Sequence, residues 1–474
     1  MAYRLLQRAL LFCLVVHAAA MVSMATVLAP AMDMSVDVAT RASWVAQHPW
    51  LWRLGWLPWQ GCALSDLLVS AALVAWAWKR QGPSQAAVKG LAVAAALFTI
   101  CAVVPEQYAE AYAVTTMPSL PASDYPAREV WLLVMTGTWG GLAYDIMLVF
   151  WVLAVAVAAP ASGWKRLTLL LTAVDFLLFL VAGVGVWHVT KTPGYPDFAV
   201  VQAANTLAFP LLCVINVLIA GLAGQAMGRD LLGGIRDMLR PLPFLPLRSD
   251  ITDVVYLNWW VPAERVAHLL PGPYKLEVRG GLTALSVLHY RHGGFGWAFL
   301  GPVRRLLPNP VQSNWRLYVE GDDAIFFLHT LLSSPIHALG ARVFSDGLPG
   351  VWDKAAAHRR DGGRITLQTG TPDLRAEVVE EPDTPLHADA RYLIEQNGAV
   401  SSDPVWGVTR KSRIDIPIDL GTVRHARVAN LHSDALASII EGCECFAFVV
   451  PAVAFAALGD EVTGALEPGR SPVG

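Results

Sequence analysis

Charge is scarce in this chain, and unevenly so: 15% of its 474 residues are Asp, Glu, Lys or Arg, and few of them precede about residue 228. With 55% hydrophobic residues and a mean hydropathy of +0.45, that scarcity points to a membrane protein with a more polar second half. No long basic run interleaved with aromatics occurs. At a formal net charge of −3 and a pI near 6.5, nucleic acid is not expected as a partner. Cysteine is sparse and scattered. Cys13, Cys62, Cys101 and Cys213 stand in or beside apolar runs, and Cys443 and Cys445 alternate on one strand, so all read as packing and none as a disulfide framework. His289 and His292 precede Gly293-Gly294-Phe295-Gly296, but no third ligand stands at a recognised spacing, so neither metal nor cofactor is expected. The same glycines lack the strand-to-helix setting of a phosphate loop and read as a mobile turn.

What is present first is apolar length. Runs at 10–30, 57–78, 90–104, 130–159, 167–187 and 198–227 predict an all-α transmembrane bundle of about six spans over residues 1–232. The first run is too long for an ordinary signal peptide and reads as a retained anchor; the third is short and has room to extend toward Tyr112. Placing the N-terminus in the cytoplasm puts Arg4, Arg8, Lys79, Arg80, Lys89, Lys165, Arg166, Arg229, Arg236, Arg240 and Arg248 inside. Only Arg41, Arg53, Arg128 and Lys191 then fall outside. A multi-pass protein of the cell membrane with both termini cytoplasmic is the expectation, with Trp44, Trp50, Trp52, Trp56, Tyr108, Tyr112 and Tyr125 as interfacial anchors. Within the spans stand His17, Asp66, Asp145 and Asp175. A carboxylate at the bilayer centre costs roughly 3 kcal/mol, so each needs a partner, water or a proton. Helix-to-helix glue and a proton, ion or ligand pathway both satisfy that need. Gly137 and Gly141 suggest a close helix contact one turn before Asp145.

Pro241, Pro243 and Pro246 predict a stiff linker over 233–250. Beyond it, residues 251–458 read as about ten strands with short helices, an antiparallel barrel or sandwich of α+β type, and 459–474 read as a disordered tail. A hairpin anchors this domain: Ser313 to Glu320, a turn at Gly321-Asp322-Asp323, and a return from Ala324 to Thr330. Trp315, Leu317 and Val319 alternate with Asn314, Arg316, Tyr318 and Glu320, so one face packs while the other presents polar tips. Arg316 either clamps a carboxylate with its planar fork or pairs with Glu320 or a neighbouring strand. Tyr318 and His329 are candidates to open onto the same space. A second hairpin is expected from 274–279 and 282–290 around Gly280-Gly281.

Asn258-Trp259-Trp260-Val261-Pro262, Leu269-Leu270-Pro271, the Gly281–Tyr290 strand, Asn314–Val319, Phe326-Phe327, Ala341-Arg342-Val343-Phe344 and Leu348-Pro349 occur in that order. In this the chain resembles the YqjF-like family of uncharacterised domains, which is similar to acetoacetate decarboxylase. The resemblance covers roughly 250–455 and implies a β-rich barrel around a small-molecule site. The decarboxylase route needs a lysine of lowered pKa. The stretch matching its nucleophile is Gly347-Leu348-Pro349-Gly350, so Gly350 stands where the amine is required, and Lys354 lies four residues on beside Asp353. The leading reading is a cytoplasmic domain, tethered to the bilayer, that binds a small carboxylate-bearing or apolar metabolite without Schiff-base chemistry. A lyase or hydrolase using other barrel residues, and a transporter-like bundle with a regulatory soluble domain, remain open, so whether the protein is an enzyme is left undecided.

Overall fold

In the computed structural model the apolar runs are helices, the first five longer than their runs: α1 Ala2–Thr26, α2 Pro49–Lys79, α3 Gln85–Thr115, α4 Tyr125–Ala158, α5 Gly163–Val189 and α6 Phe198–Gln225. All six are long and apolar enough to cross a membrane. Their outward surfaces carry exposed Leu67, Leu97, Leu170, Leu177 and Leu207, while Asp66, Thr99, Asp175 and Asn216 are buried between helices. That inversion suits a lipid surround. The structure describes residues 1–191, 198–321, 324–345, 347–396 and 398–466.

Helix α1 packs against α2 and α6. In α4 a π-helical stretch at Val134–Gly140 lets Thr138 Oγ1 donate to the Gly183 carbonyl of α5 at 2.7 Å. The loop segments build a core of their own. There Trp52 and Trp56 are buried against the protein, and Trp52 Nε1 donates to the Ala113 carbonyl at 2.7 Å. Arg41 reaches into this core and forks onto Glu129, Nε to Oε1 at 2.9 Å and Nη2 to Oε2 at 2.6 Å, with both side chains buried. A further helix, α7 Leu231–Leu239, lies on α6 so closely that a Cβ on Gly224 would fall 2.4 Å from the Gly234 Cα.

The chain divides into units Met1–Pro241 and Leu242–Gly474. Of the expected proline linker, residues 233–239 are therefore helical and 247–250 are already strand, leaving only 240–246 irregular. Proline stops a helix at its own position, and these prolines begin only at Pro241.

The second unit contains β1 Leu247–Pro262, β2 Leu282–Arg291, β3 Gly296–Trp297, β4 Val311–Val319, β5 Ala324–Leu332, β6 Gly350–Trp352 and β7 Ala357–Asp361. It continues with β8 Arg364–Gly370, β9 Asp373–Glu380, β10 Gly398–Asp403, β11 Val408–Asp415, β12 Arg424–His432 and β13 Cys445–Ala465. Pairing runs β1-β2-β4-β5-β10-β11-β13 and returns from β13 to β1, which closes a barrel; only β5 to β10 is parallel within that ring. From β13 the sheet also continues through β12, β9 and β8 to β7. This extension folds over the outside of the barrel, where Ile365, Leu367, Leu374 and Val378 meet Leu257, Trp259, Leu285, Val287, Trp315 and Leu317. Of the domain's helices, α8 Pro335–Phe344 and the short α9 Ala390–Ile394 bear on the barrel interior, and Ala390 and Leu393 of α9 sit in its core.

Three expectations change. Residues 274–279 make no strand; Leu276 forms only an isolated bridge to Val319, because the pairing edge of β2 is taken by β4. Residues 459–465, expected to be disordered, continue β13 beside β11, and Gly459 at φ 128° carries the register shift there. The rest of that tail, 467–474, lies outside the described residues, as do Asp322 and Asp323 of the central turn. The Gly293–Gly296 loop is packed and not a free turn: Phe295 stacks on His292 at 4.2 Å and on His337 at 4.9 Å.

Candidate functional site

The central hairpin forms as β4 and β5, and every residue of β4 is buried. One face of β4, with Trp315 and Leu317, meets the covering sheet, so the face expected to present polar tips turns into the barrel. Register sets those tips in one row: Asn258 pairs Ser286, Ser286 pairs Arg316, and Arg316 pairs Phe327 across a bulge between Trp315 and Arg316. The bulge also decides the place of His329. It lies opposite Trp315, exposed and edge-on to that indole at 5.8 Å, on the face away from Arg316 and Tyr318.

Arg316 is 5% exposed. Its Nη2 donates to Tyr318 Oη at 3.0 Å and to the Leu393 carbonyl at 2.7 Å, and its guanidinium carbon lies 5.3 Å from the ring centroids of Tyr256 and Tyr318. Nε is buried and has no hydrogen-bond partner. Among the described residues no carboxylate pairs with it, Glu320 included. Tyr318 Oη also meets Ser286 Oγ at 2.9 Å and donates to Leu393 O at 3.2 Å, and Ser286 donates to Asn258 Oδ1 at 2.7 Å. Burial raises the Tyr256 and Tyr290 phenols above the ordinary tyrosine range, so both stay protonated. Next to this network Gln312 donates to Asn314 and Asn314 to Tyr290 Oη, at 2.9 and 3.0 Å. Trp260, Tyr392 and Arg279 stack over one another beside Tyr318, and Trp260 Nε1 holds Asp389 at 3.0 Å.

The two histidines singled out in sequence serve the frame. His289 Nε2 bonds the Ala357 carbonyl at 2.9 Å and stacks on His358, while His292 bridges Ser249 and Gln312 at 2.8 Å each. Burial pushes both down to about 3, so both are neutral at pH 7. Gly350, at the start of β6, faces α8: a Cβ there would meet the Ala341 Cβ at 2.8 Å and the Ala338 carbonyl at 3.1 Å. Lys354 is exposed, and its neighbour Asp353 accepts from Ala355 N and Gly370 N. The domain's other lysines are Lys275, exposed, and Lys411, half-buried; none of the three is withdrawn from water.

Residues 248–399 match the DUF2071 family. That family is described as an uncharacterized conserved protein (COG2071), and it is the YqjF-like group whose resemblance the sequence carries. Comparison with curated proteins returns no match. Among solved structures the chain is similar to the enduracididine biosynthesis enzyme MppR complexed with pyruvate, at 14% identity and a TM-score of 0.34, over 47% of this chain and 91% of that one. An acetoacetate decarboxylase-like enzyme from Sphingomonas wittichii RW1 follows, at 11% and 0.35, covering 48% and 95%. A structure from studies of acetoacetate decarboxylase is similar at 12% and 0.32, covering 47% and 91%. At these identities no residue role transfers to the DUF2071 segment from its neighbours.

In the bundle, the four residues expected to matter fall into two pairs. His17 Nε2 lies 3.9 Å from Asp66 Oδ2, with Cys13 Sγ 3.4 Å from Asp66 Oδ1. Asp145 and Asp175 are buried, and none of their four carboxylate oxygens has a hydrogen-bond partner. Sequence reading missed Glu106 and Glu110, since the third apolar run ends before them while α3 continues to Thr115. Tyr144 donates to Glu106, and Gln60 and Gln107 donate to Glu110. In the barrel it missed Tyr256, Asn258, Ser286 and Leu393; Asn258 and Ser286, each polar inside an apolar strand, left a mark in the sequence.

Proposed function

We propose that the barrel binds a small carboxylate-bearing metabolite on Arg316, without Schiff-base chemistry, and that the helical bundle holds it at the cytoplasmic face of the cell membrane. One observation carries this reading: a buried guanidinium whose Nε has no hydrogen-bond partner and that has no anion beside it among the described residues. A buried charge is retained against its desolvation only where something uses it. A planar fork matches a carboxylate, and Tyr318 and Tyr256 supply flanking phenols. The carbonyl of Leu393 now occupies the place of one acceptor, so α9 is the element a ligand displaces.

The absence of a buried lysine supports binding over covalent catalysis. A ketone must meet a neutral amine to form an imine, and Gly350 supplies none while the α8 contact leaves no room for one. Sodium borohydride added with acetoacetate should leave the intact mass of the protein unchanged. A stoichiometric adduct mapped to Lys354 or Lys411 would return the domain to decarboxylase chemistry.

The cytoplasmic placement rests on the excess of Lys and Arg at the Arg4, Lys79, Lys165 and Arg229 ends of an even number of spans. A fluorescent protein fused to the C-terminus should glow and alkaline phosphatase fused there should be silent. The opposite pair of results would place the barrel on the other side.

A further inference from the structure

We infer that the helical bundle carries a zinc-class dication site on Cys13, His17 and Asp66, with Asn216 as a fourth donor. Cys13 and His17 stand four residues apart on α1 and so share a face; Asp66 comes from α2 and Asn216 from α6. One donor atom from each of Cys13, His17 and Asp66 lies within 4.8 Å of the other two. Cys13 Sγ lies 3.4 Å from Asp66 Oδ1 and 3.4 Å from His17 Nδ1, and His17 Nε2 lies 3.9 Å from Asp66 Oδ2. Tetrahedral bonds of about 2.0–2.3 Å hold their donors roughly 3.3–3.8 Å apart, a range that includes the Cys13–Asp66 separation and ends just short of the His17–Asp66 one.

The surroundings are those of a ligand set. His17 Nδ1 donates to the Cys13 carbonyl at 2.9 Å, which fixes the tautomer and leaves Nε2 with its lone pair toward Asp66. Asn216 is fully buried, places its amide nitrogen 3.4 Å from Cys13 Sγ, and has an Oδ1 with no partner; a half-turn of the amide exchanges the two and presents oxygen. Charge then selects the ion. Thiolate and carboxylate together carry −2, so a dication makes the site neutral, the form an apolar bundle tolerates, whereas a monovalent ion would leave a buried negative charge. Sulfur and imidazole donors favour zinc and its transition-metal neighbours over magnesium or calcium. Sequence spacing alone hides this set, because two of its four members come from other helices.

The test uses the full chain purified in detergent, stripped with a chelator and titrated with Co²⁺. A thiolate-to-cobalt charge-transfer band should grow in the near ultraviolet, saturate at roughly one equivalent per chain, and disappear as Zn²⁺ is added. Cys13→Ser should abolish the band, and His17→Ala and Asp66→Asn should each weaken Co²⁺ binding by roughly tenfold or more. Asp145→Asn, which removes a buried carboxylate outside the set, should keep it. Absence of the band from the monodisperse unmutated protein, or its survival in Cys13→Ser, overturns the site. The unmutated measurement decides even where a variant fails to fold.

Discussion

Arg316→Met should make the barrel domain harder to unfold while removing its hold on short carboxylates. The substitution replaces a buried cation that has no counter-anion among the described residues by an apolar chain of similar length, and changes of that kind stabilise by roughly 1–4 kcal/mol. The groups it leaves behind remain bonded: Leu393 O still accepts from Tyr318, and Tyr318 still meets Ser286. A charge-assisted pair in a dry site contributes about 1.5–3 kcal/mol, so acetoacetate affinity should fall roughly 10- to 150-fold. Urea unfolding followed by tryptophan fluorescence and titration calorimetry read the two effects separately. An Arg316 that merely braces the barrel would give the reverse, with lost stability and no change in binding.

Breaking the ion pair beneath the loop core should have the largest effect on the bundle. Arg41 and Glu129 are both buried and doubly bonded, so Glu129→Ala takes the counter-charge from a buried guanidinium that keeps only its bond to the Val36 carbonyl among those described, at about 3–5 kcal/mol. Arg41→Ala takes the counter-charge from the buried carboxylate in the same way. The double change Arg41→Met with Glu129→Leu should recover most of the loss, because neither charge remains. Thermal unfolding in detergent, with the parent and the three variants compared, measures it; single variants within about 0.5 kcal/mol of the parent would show the pair to be solvated.

The architecture was legible because two periodicities are hard to disguise. Apolar runs of membrane length became α1 to α6, and the alternation from Asn314 to Tyr318 placed Arg316 and Tyr318 together on one face of β4. What that face meets was not legible. A strand buried on both sides reads as half-exposed when one of its sides is polar, and only closure of the ring turns those polar tips inward. His329 was misplaced because a one-residue bulge reverses facing and leaves no mark in composition. Trp52 and Trp56 look like interface anchors until the segment Val38–Gln47 folds over them, and Leu393 contributes a backbone carbonyl, which no side-chain pattern reveals.

The route by which the barrel closes bears on how such a domain passes between proteins. The DUF2071 match ends at residue 399, just inside β10, while the ring is completed by β11 and by β13, which runs on to Ala465. A gene segment trimmed to the recognisable stretch would encode an open sheet with raw edges at β1, β5 and β9, a template for self-association. Recombination that keeps the domain foldable must therefore carry the less recognisable downstream strands with it. Inheritance is in this sense wider than likeness: strands outside the recognisable stretch are the ones that close the ring.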